Sequence, residues 1–282
     1  MKKLLIAVIC LSAFIHAAVA EDGLDPPPVV PCPRVEAPVT VDGLLDEPAW
    51  REAFCSGKFR DIVDGTPARL ASRACMMHDD EALYIAFELV EPDLRAELTE
   101  RDSRIYTEND VEVFIDGGDA YYELELNALG TVYEVYWIWK DALHKQRFRR
   151  PEFNPDAHSV MRLSGIKDHV HPRGERLGFL DWDLPGLKTA VAVDGTLNEP
   201  SDEDRGWSVE MALPWQGLAQ VLGHENLPPA PGRELGMNLF RFEWYGPGGE
   251  KLKEPAGWGL SVHGVYDCHM PERFFRLEFT GY

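Results

Sequence analysis

In one segment after another, apolar side chains recur at every second position. Between Val111 and Asp116, the residues Val111, Val113 and Ile115 alternate with Glu112, Phe114 and Asp116; between Tyr121 and Asn127, Tyr122, Leu124 and Leu126 alternate with Glu123, Glu125 and Asn127. A period of two sends successive side chains to opposite faces of a strand. Leu83 to Val90, Thr131 to Trp139, Leu187 to Val193, Trp207 to Leu213, Leu235 to Trp244, Leu260 to His263 and Phe274 to Phe279 read as further strands, rich in strand-forming residues and set apart by Gly, Asp and Pro turns. Helical periodicity is nearly absent, so the crossover helices of a parallel α/β fold are missing. The sequence therefore predicts an all-β fold, an immunoglobulin-like or jelly-roll-type β-sandwich of two antiparallel sheets with short helices.

The N-terminus follows different rules. Lys2 and Lys3 precede an apolar run from Leu4 to Phe14 that is too short to span a bilayer, and Ala18-Val19-Ala20 offers small residues at a cleavage point. Residues 1–20 thus read as a signal peptide, and the protein as secreted or periplasmic, with no membrane insertion. Ile9 is too bulky to precede a lipidated Cys10. Residues 21–38 hold Pro26, Pro27, Pro28, Pro31, Pro33 and Pro38, a composition expected to form an extended arm and no ladder. Residues 39–282 are the sandwich, opened by a strand from Val41 and a short helix that Asp46 caps, with Pro48 in its first turn and Trp50 and Phe54 on its apolar face.

Beyond Cys10, four cysteines remain, Cys32, Cys55, Cys75 and Cys268. In an oxidising compartment they are expected to form two disulfides, and three connectivities stay open. The formal charge is −20, and loss of Lys2 and Lys3 makes it −22. Such a surface excludes the basic stripes that nucleic acid and anionic membranes require, and it suits a monomer that binds neutral ligands. Against that background Lys140 to Arg176 is a basic island of nine Lys/Arg, five Asp/Glu and four histidines. The alternation lapses there, so residues 140–186 read as a long insertion over a sandwich edge. His169 and His171 could share a side, but no set of Asp, Glu or Cys beside them completes a metal site.

Three motifs carry a family resemblance: VDGLLDEPAW from Val41 to Trp50, ENDVEVFID from Glu108 to Asp116, and GVYDCHMPERFFRLEF from Gly264 to Phe279. With Leu187 to Trp215 and Asn238 to Trp244, they resemble the family 9 carbohydrate-binding modules, most closely the secreted free-standing family 9-like proteins. The resemblance implies a non-catalytic β-sandwich that binds a neutral saccharide or polysaccharide, in support of polysaccharide catabolism. It also implies a clamp whose first wall is an aromatic and a Glu, here Tyr106 and Glu112. The next strand of such modules carries an Arg-x-Asn pair; here it reads Glu125-x-Asn127. The second aromatic wall falls at Cys268 or His269. A structural Ca²⁺ is further implied, for which the turn Asp116-Gly117-Gly118-Asp119 offers oxygens.

Sugar recognition needs flat aromatic faces and rigid polar groups in a concave site. On the expected strands, Glu112, Glu125, Asn127 and Arg241 are candidates for a polar face, and Tyr106, Trp137, Trp139, Trp244 and Trp258 for platforms; His269 joins them through the clamp position. Trp50 and Trp207 are assigned to the core. Two other functions are open to these residues. A glycoside hydrolase would use two of Glu112, Glu123, Glu125, Glu134 and Glu210, and a haem-binding module would use Met76, Met77 or His78 as axial ligands.

Overall fold

The computed structural model describes residues 24–223 and 227–281; the expected signal peptide, residues 1–20, lies outside the described residues. The alternating segments form strands close to their expected bounds. In chain order they are β1 (Val29–Pro33), β2 (Phe54–Cys55), β3 (Arg60–Asp61), β4 (Ser72–His78), β5 (Ala82–Val90), β6 (Asp110–Asp116), β7 (Ala120–Asn127) and β8 (Val132–Trp139). They continue as β9 (Val160–Leu163), β10 (Arg176–Phe179), β11 (Lys188–Asp194), β12 (Gly206–Pro214), β13 (Glu234–Tyr245), β14 (Lys251–Gly259) and β15 (Phe275–Thr280). One α-helix among the described residues, α1 (Trp215–Leu222), was not legible beforehand, because its buried Trp215, Leu218 and Val221 continue the apolar run of β12.

Two sheets result. The larger has ten strands in the order β1-β15-β13-β6-β7-β8-β10-β9, with β14 on β13 and β3 on β14; the smaller runs β11-β12-β5-β4-β2. Val111, Val113, Ile115, Leu124 and Leu126 of the first meet Ile85, Phe87, Leu89, Val209, Met211 and Leu213 of the second in one buried cluster. That apolar contact is the sandwich core the alternation encoded.

Several expectations need correction. The proline-rich arm does enter a ladder: β1 pairs parallel with β15, Val30 opposite Leu277 and Cys32 opposite Phe279. Because β1 is an edge strand, the missing N–H groups of Pro31 and Pro33 face no partner that would need them, and the sheet is not wholly antiparallel. Residues 41–47 form no strand, and the helix after them is a single 3-10 turn, Pro48–Arg51, preceded by Glu47 and not by Asp46. Phe54 lies beyond it in β2. The expected strand at Leu260 to His263 is displaced upstream into β14.

Of the cysteines, Cys55 and Cys75 face each other across β2 and β4 and are bonded. Cys32 and Cys268 are buried and free. One lies in edge strand β1 and the other in the loop before β15, so the second expected disulfide does not form.

What holds the Val41 to Trp50 motif in place is Glu210 of β12. Its Oε2 accepts the main-chain N–H groups of Asp42 at 2.9 Å and Gly43 at 2.8 Å, and its Oε1 accepts Trp50 Nε1–H at 2.6 Å. Trp50 then packs with Val35, Met77, Tyr84 and Ala212 in a second buried cluster on the far side of the smaller sheet.

The basic island also departs from its reading. It contains three 3-10 turns and two strands; β10 pairs with β8, and β9 with β10, so the segment extends the larger sheet. Gly178 permits this, since a Cβ there would come within 2.8 Å of the Trp137 ring. Much of the positive charge is neutralised locally, with Lys145 on Asp119, Arg173 on Asp141 and Lys167 on Glu254.

Candidate functional site

Strands β6, β7 and β8 are buried on both faces. Their inner face meets the smaller sheet. Their outer face, which alternation assigns to solvent, is roofed by residues 160–166 from the basic segment and by the chain from Pro255 to His269. Between sheet and roof lies a cavity of about 290 Å³. A larger groove of about 840 Å³ runs across the outside of the smaller sheet, but it is more open, and its lining mixes Leu44, Val90, Val193 and Trp207 with small residues and the Arg73–Glu88 and Arg205–Asp194 pairs. The candidate residues converge on the enclosed cavity.

Register sets its floor. Glu112 of β6 lies opposite Glu125 of β7, and Glu125 opposite Tyr133 of β8, so the three share the outer face. Glu123, two residues before Glu125, lies on that face too, and Trp137 of β8 donates its Nε1–H to Glu123. Tyr106, from the 3-10 turn Ile105–Thr107, closes one side with its ring edge-on to Tyr133 at 5.7 Å. Met161, Leu163 and Ile166 line the roof, and Phe242, Pro255, Tyr266, Cys268 and His269 complete the wall.

Burial dominates the electrostatics. Asp110, Glu112 and Glu125 each bring a carboxylate oxygen within 4.8 Å of the other two. Glu112 Oε2, Glu125 Oε2 and both Asp110 oxygens lack a well-formed hydrogen bond, although the Phe242 main-chain N–H lies near enough to favour the charged form of Asp110. Desolvation first, and neighbouring carboxylates second, hold Glu112 and Glu125 well above the ordinary carboxylate range. Glu123 is pushed up by burial to about 7, restrained by the Trp137 bond and the Arg176 charge. Burial keeps His269 neutral, well below the usual imidazole value; its Nδ1 lies 2.9 Å from Tyr121 Oη and its ring packs 5.1 Å from Trp137.

Of the sequence-predicted residues, Tyr106, Glu112, Glu125, Trp137 and His269 meet in the cavity. Four others do not. Asn127 is buried, donating its Nδ2–H to Glu108 at 2.5 Å and to the Leu98 carbonyl at 2.8 Å. Arg241 pairs in register with Val111 and so faces the sandwich interior, where it binds Glu91 at 2.6 Å, Glu243 at 3.0 Å and Ser72 at 3.1 Å. Trp258 shares that inner face beside Arg241. Trp244 sits at a bulge, bonded to the Tyr106 carbonyl. Trp139 lies under Arg173, Arg176 and His171.

Tyr133, the 160–166 roof, Phe242, Pro255 and Tyr266 were missed. For Tyr133 a signal existed in the strand register. For the roof, only the tertiary path of a segment with no periodicity could place it.

The alternative chemistries fit less well. Glu134 faces inward, tied to Tyr122, Arg101 and the Leu184 N–H, and Glu210 is the latch described above. Met76 packs in the sandwich core and Met77 in the cluster beyond the smaller sheet, so their side chains point apart and cannot share a haem. His169 pairs with Asp267 at 2.9 Å and His171 with Glu272 at 3.1 Å. At the turn proposed for Ca²⁺, Asp119 binds Lys145 at 2.6 Å and also Arg173, while Asp116 accepts the Gly118 N–H. A Ca²⁺ ion takes roughly 6–8 oxygens, and of the two carboxylates at this turn Asp119 is already paired with a Lys and an Arg.

Fold and cavity together describe a β-sandwich with a roofed, aromatic-lined cavity on one sheet. The sequence model of carbohydrate-binding family 9 matches residues 69–188, which run from before β4 to the start of β11 and include Tyr106, Glu112, Glu123, Glu125, Tyr133, Trp137 and the roof. The resemblance read from the motifs is thereby shown over that span. Solved structures agree in fold. A Bacteroides uniformis protein described as carbohydrate-binding superposes with a TM-score of 0.56 at 17% identity, over 90% of this chain and 99% of its own. A family 9 module from Caldicellulosiruptor kristjanssonii in complex with cellotriose gives 0.51 at 15%, over 90% and 94%. The glucose complex of a family 9 module from the same organism gives 0.50 at 14%, over 90% and 96%. At such identities the likeness speaks for the fold alone. No curated protein sequence matches the chain. Among the described residues no helix is long and apolar enough to cross a membrane.

Proposed function

We propose that this is an exported, monomeric, non-catalytic saccharide-binding protein that takes a sugar unit free of acidic groups into the cavity over β6–β8. One observation carries the reading: Tyr106, Tyr133, Trp137 and Tyr266, rings of the kind that cover the C–H side of a pyranose, line the same cavity as Glu112, Glu123 and Glu125, whose oxygens suit its hydroxyls. The cellotriose and glucose complexes of similarly folded modules support it as to class. A uronate or sulfate group would lose its hydration beside three buried carboxyls that offer it no positive charge. Turnover is not part of the proposal. Acid and base roles require a carboxylate held ionised beside a carboxyl held protonated, whereas burial raises Glu112, Glu123 and Glu125 alike and holds none of them in the ordinary carboxylate range. Nor is a structural Ca²⁺ at Asp116 and Asp119, for the reason given above.

Calorimetry of the mature protein against a broad saccharide panel tests it. A ligand should emerge, Glu112→Ala should weaken its binding by about 1–3 kcal/mol, and Glu52→Ala, on an exposed position, should change nothing. A silent panel would refute the reading. Reducing ends that accumulate with wild type and stop with Glu112→Gln would make the protein a glycoside hydrolase instead.

A further inference from the structure

Within the saccharide-binding reading, on which this inference rests, we propose that the preferred occupant is a hexosamine unit, a sugar bearing a primary ammonium group that seats between Glu112 and Glu125. The cavity is built for positive charge. Glu112, Glu123 and Glu125 line it and are exposed by 3%, 4% and 1%; Asp110 is fully buried beside them, and Glu112 Oε2, Glu125 Oε2 and both Asp110 oxygens lack a well-formed hydrogen bond, with the Asp110, Glu112 and Glu125 carboxylates within 4.8 Å of one another. Among the described residues no Lys or Arg forms an ion pair with Asp110, Glu112 or Glu125. The Arg176 guanidinium, 3.9 Å from Asp267, favours the charged form of Glu123 alone of the four, and the His269 ring, 3.9 Å from Glu123, is held neutral by burial.

A neutral sugar does not complete such a site. Each hydroxyl can donate one hydrogen bond, which satisfies an oxygen but leaves the carboxyls holding the protons that burial imposes; a cation beside them lets one ionise and form a charge-assisted pair. An ammonium brings three donors and a unit charge together. Aromatic walls favour it again, since Tyr133 and Trp137 present π-electrons to a cation held at the floor. A bare divalent ion would use the carboxylates but not the rest of the site. A cavity of about 290 Å³ with Tyr, Trp, Met, Leu and Ile walls has the size and surface of a site for an organic ring.

The experiment compares glucosamine, glucose and N-acetylglucosamine by calorimetry on the mature protein at pH 6.5, where an amine, with an ordinary pKa of about 8 or above, is protonated. Glucosamine should bind at least tenfold more tightly than the other two. Glu125→Gln and, separately, Glu112→Gln, both close in shape to the native side chain, should abolish that preference while circular dichroism shows the fold retained. If glucose or N-acetylglucosamine binds as well as glucosamine, the inference is wrong and the saccharide reading stands. If none of a broad sugar panel binds, both fall. A parallel titration with CaCl₂ that gives saturable heat and blocks glucosamine would assign the carboxylates to a metal and overturn the inference.

Discussion

Single residues show where pattern and environment part company. Alternation put Glu112, Glu123 and Glu125 on one face, and register confirms that they share it. Nothing in a strand's own sequence says whether its polar face meets water or a roof, so a solvated reading was the natural one, while burial is what gives these carboxyls their chemistry. The same register places Arg241 on the other face, because Phe240 and not Arg241 lies opposite Glu112; a one-residue offset reverses every side chain of a strand. Buried acids have a consequence for stability. A carboxyl whose folded pKa is raised binds more protons folded than unfolded, so it contributes stability that is present below the unfolded value, about 4.3, and lost as pH rises through the folded one. The loss therefore begins near pH 4.3 and levels off just above pH 7 for Glu123 and pH 8 for Glu91, so part of it still falls between pH 6.5 and 8.5. His263, lowered by burial to about 4, acts in the opposite sense, but only below its unfolded value of about 6.5. Thermal unfolding midpoints should therefore drop from pH 6.5 to pH 8.5, and Glu123→Gln, which still offers an oxygen to Trp137 Nε1–H, should flatten the decline. A midpoint that is level or rises over that interval contradicts the assignment.

At the scale of elements, the central strands were legible because each carries its own periodic signal, and those that were not owe their state to a neighbour. Strand β1 exists because β15 presents a free edge, and β9 and β10 because β8 does. The Val41 to Trp50 motif is the clearest instance of order imposed from outside. It has almost no regular structure of its own, and one carboxylate 160 residues or more along the chain fixes both its ends. Gly43 is part of the same fit: its φ is +92°, and a Cβ would lie 2.7 Å from the Ala192 nitrogen. Glu210→Ala leaves three donors without their acceptor, two on the main chain and one on a buried Trp, and should cost about 3 kcal/mol or more. Glu210→Gln, which keeps one acceptor oxygen, should cost distinctly less. Denaturant unfolding of the two variants beside wild type measures both, and equal small losses would show that the latch is incidental.

Across the whole molecule, the sheet supplies a rigid floor while two stretches distant in sequence meet above it. Their junction is specific. Lys167 of the basic segment holds its ammonium 3.3 Å from the centre of the Tyr266 ring and reaches Glu254 at 2.7 Å, and Tyr266 donates its O–H to the Pro255 carbonyl at 2.8 Å. Neither stretch has a strong periodic signal at these positions, which is why the floor was partly readable and the roof was not. The clip makes Tyr266 both a wall of the cavity and the tie between its two covers, and these roles separate by experiment. Tyr266→Ala removes the ring and the tie, whereas Lys167→Ala removes only the tie and leaves the ring in place. If the ring contacts ligand, Tyr266→Ala should weaken saccharide binding at least tenfold, the order of one stacking surface at about 1.5 kcal/mol, and Lys167→Ala should weaken it only a few-fold. Hydrogen exchange of residues 160–167 should quicken in both variants without ligand, because both loosen the roof, and ligand should slow it in wild type. Exchange there that ignores ligand, with Tyr266→Ala binding as wild type does, would place the occupied site elsewhere on the sandwich.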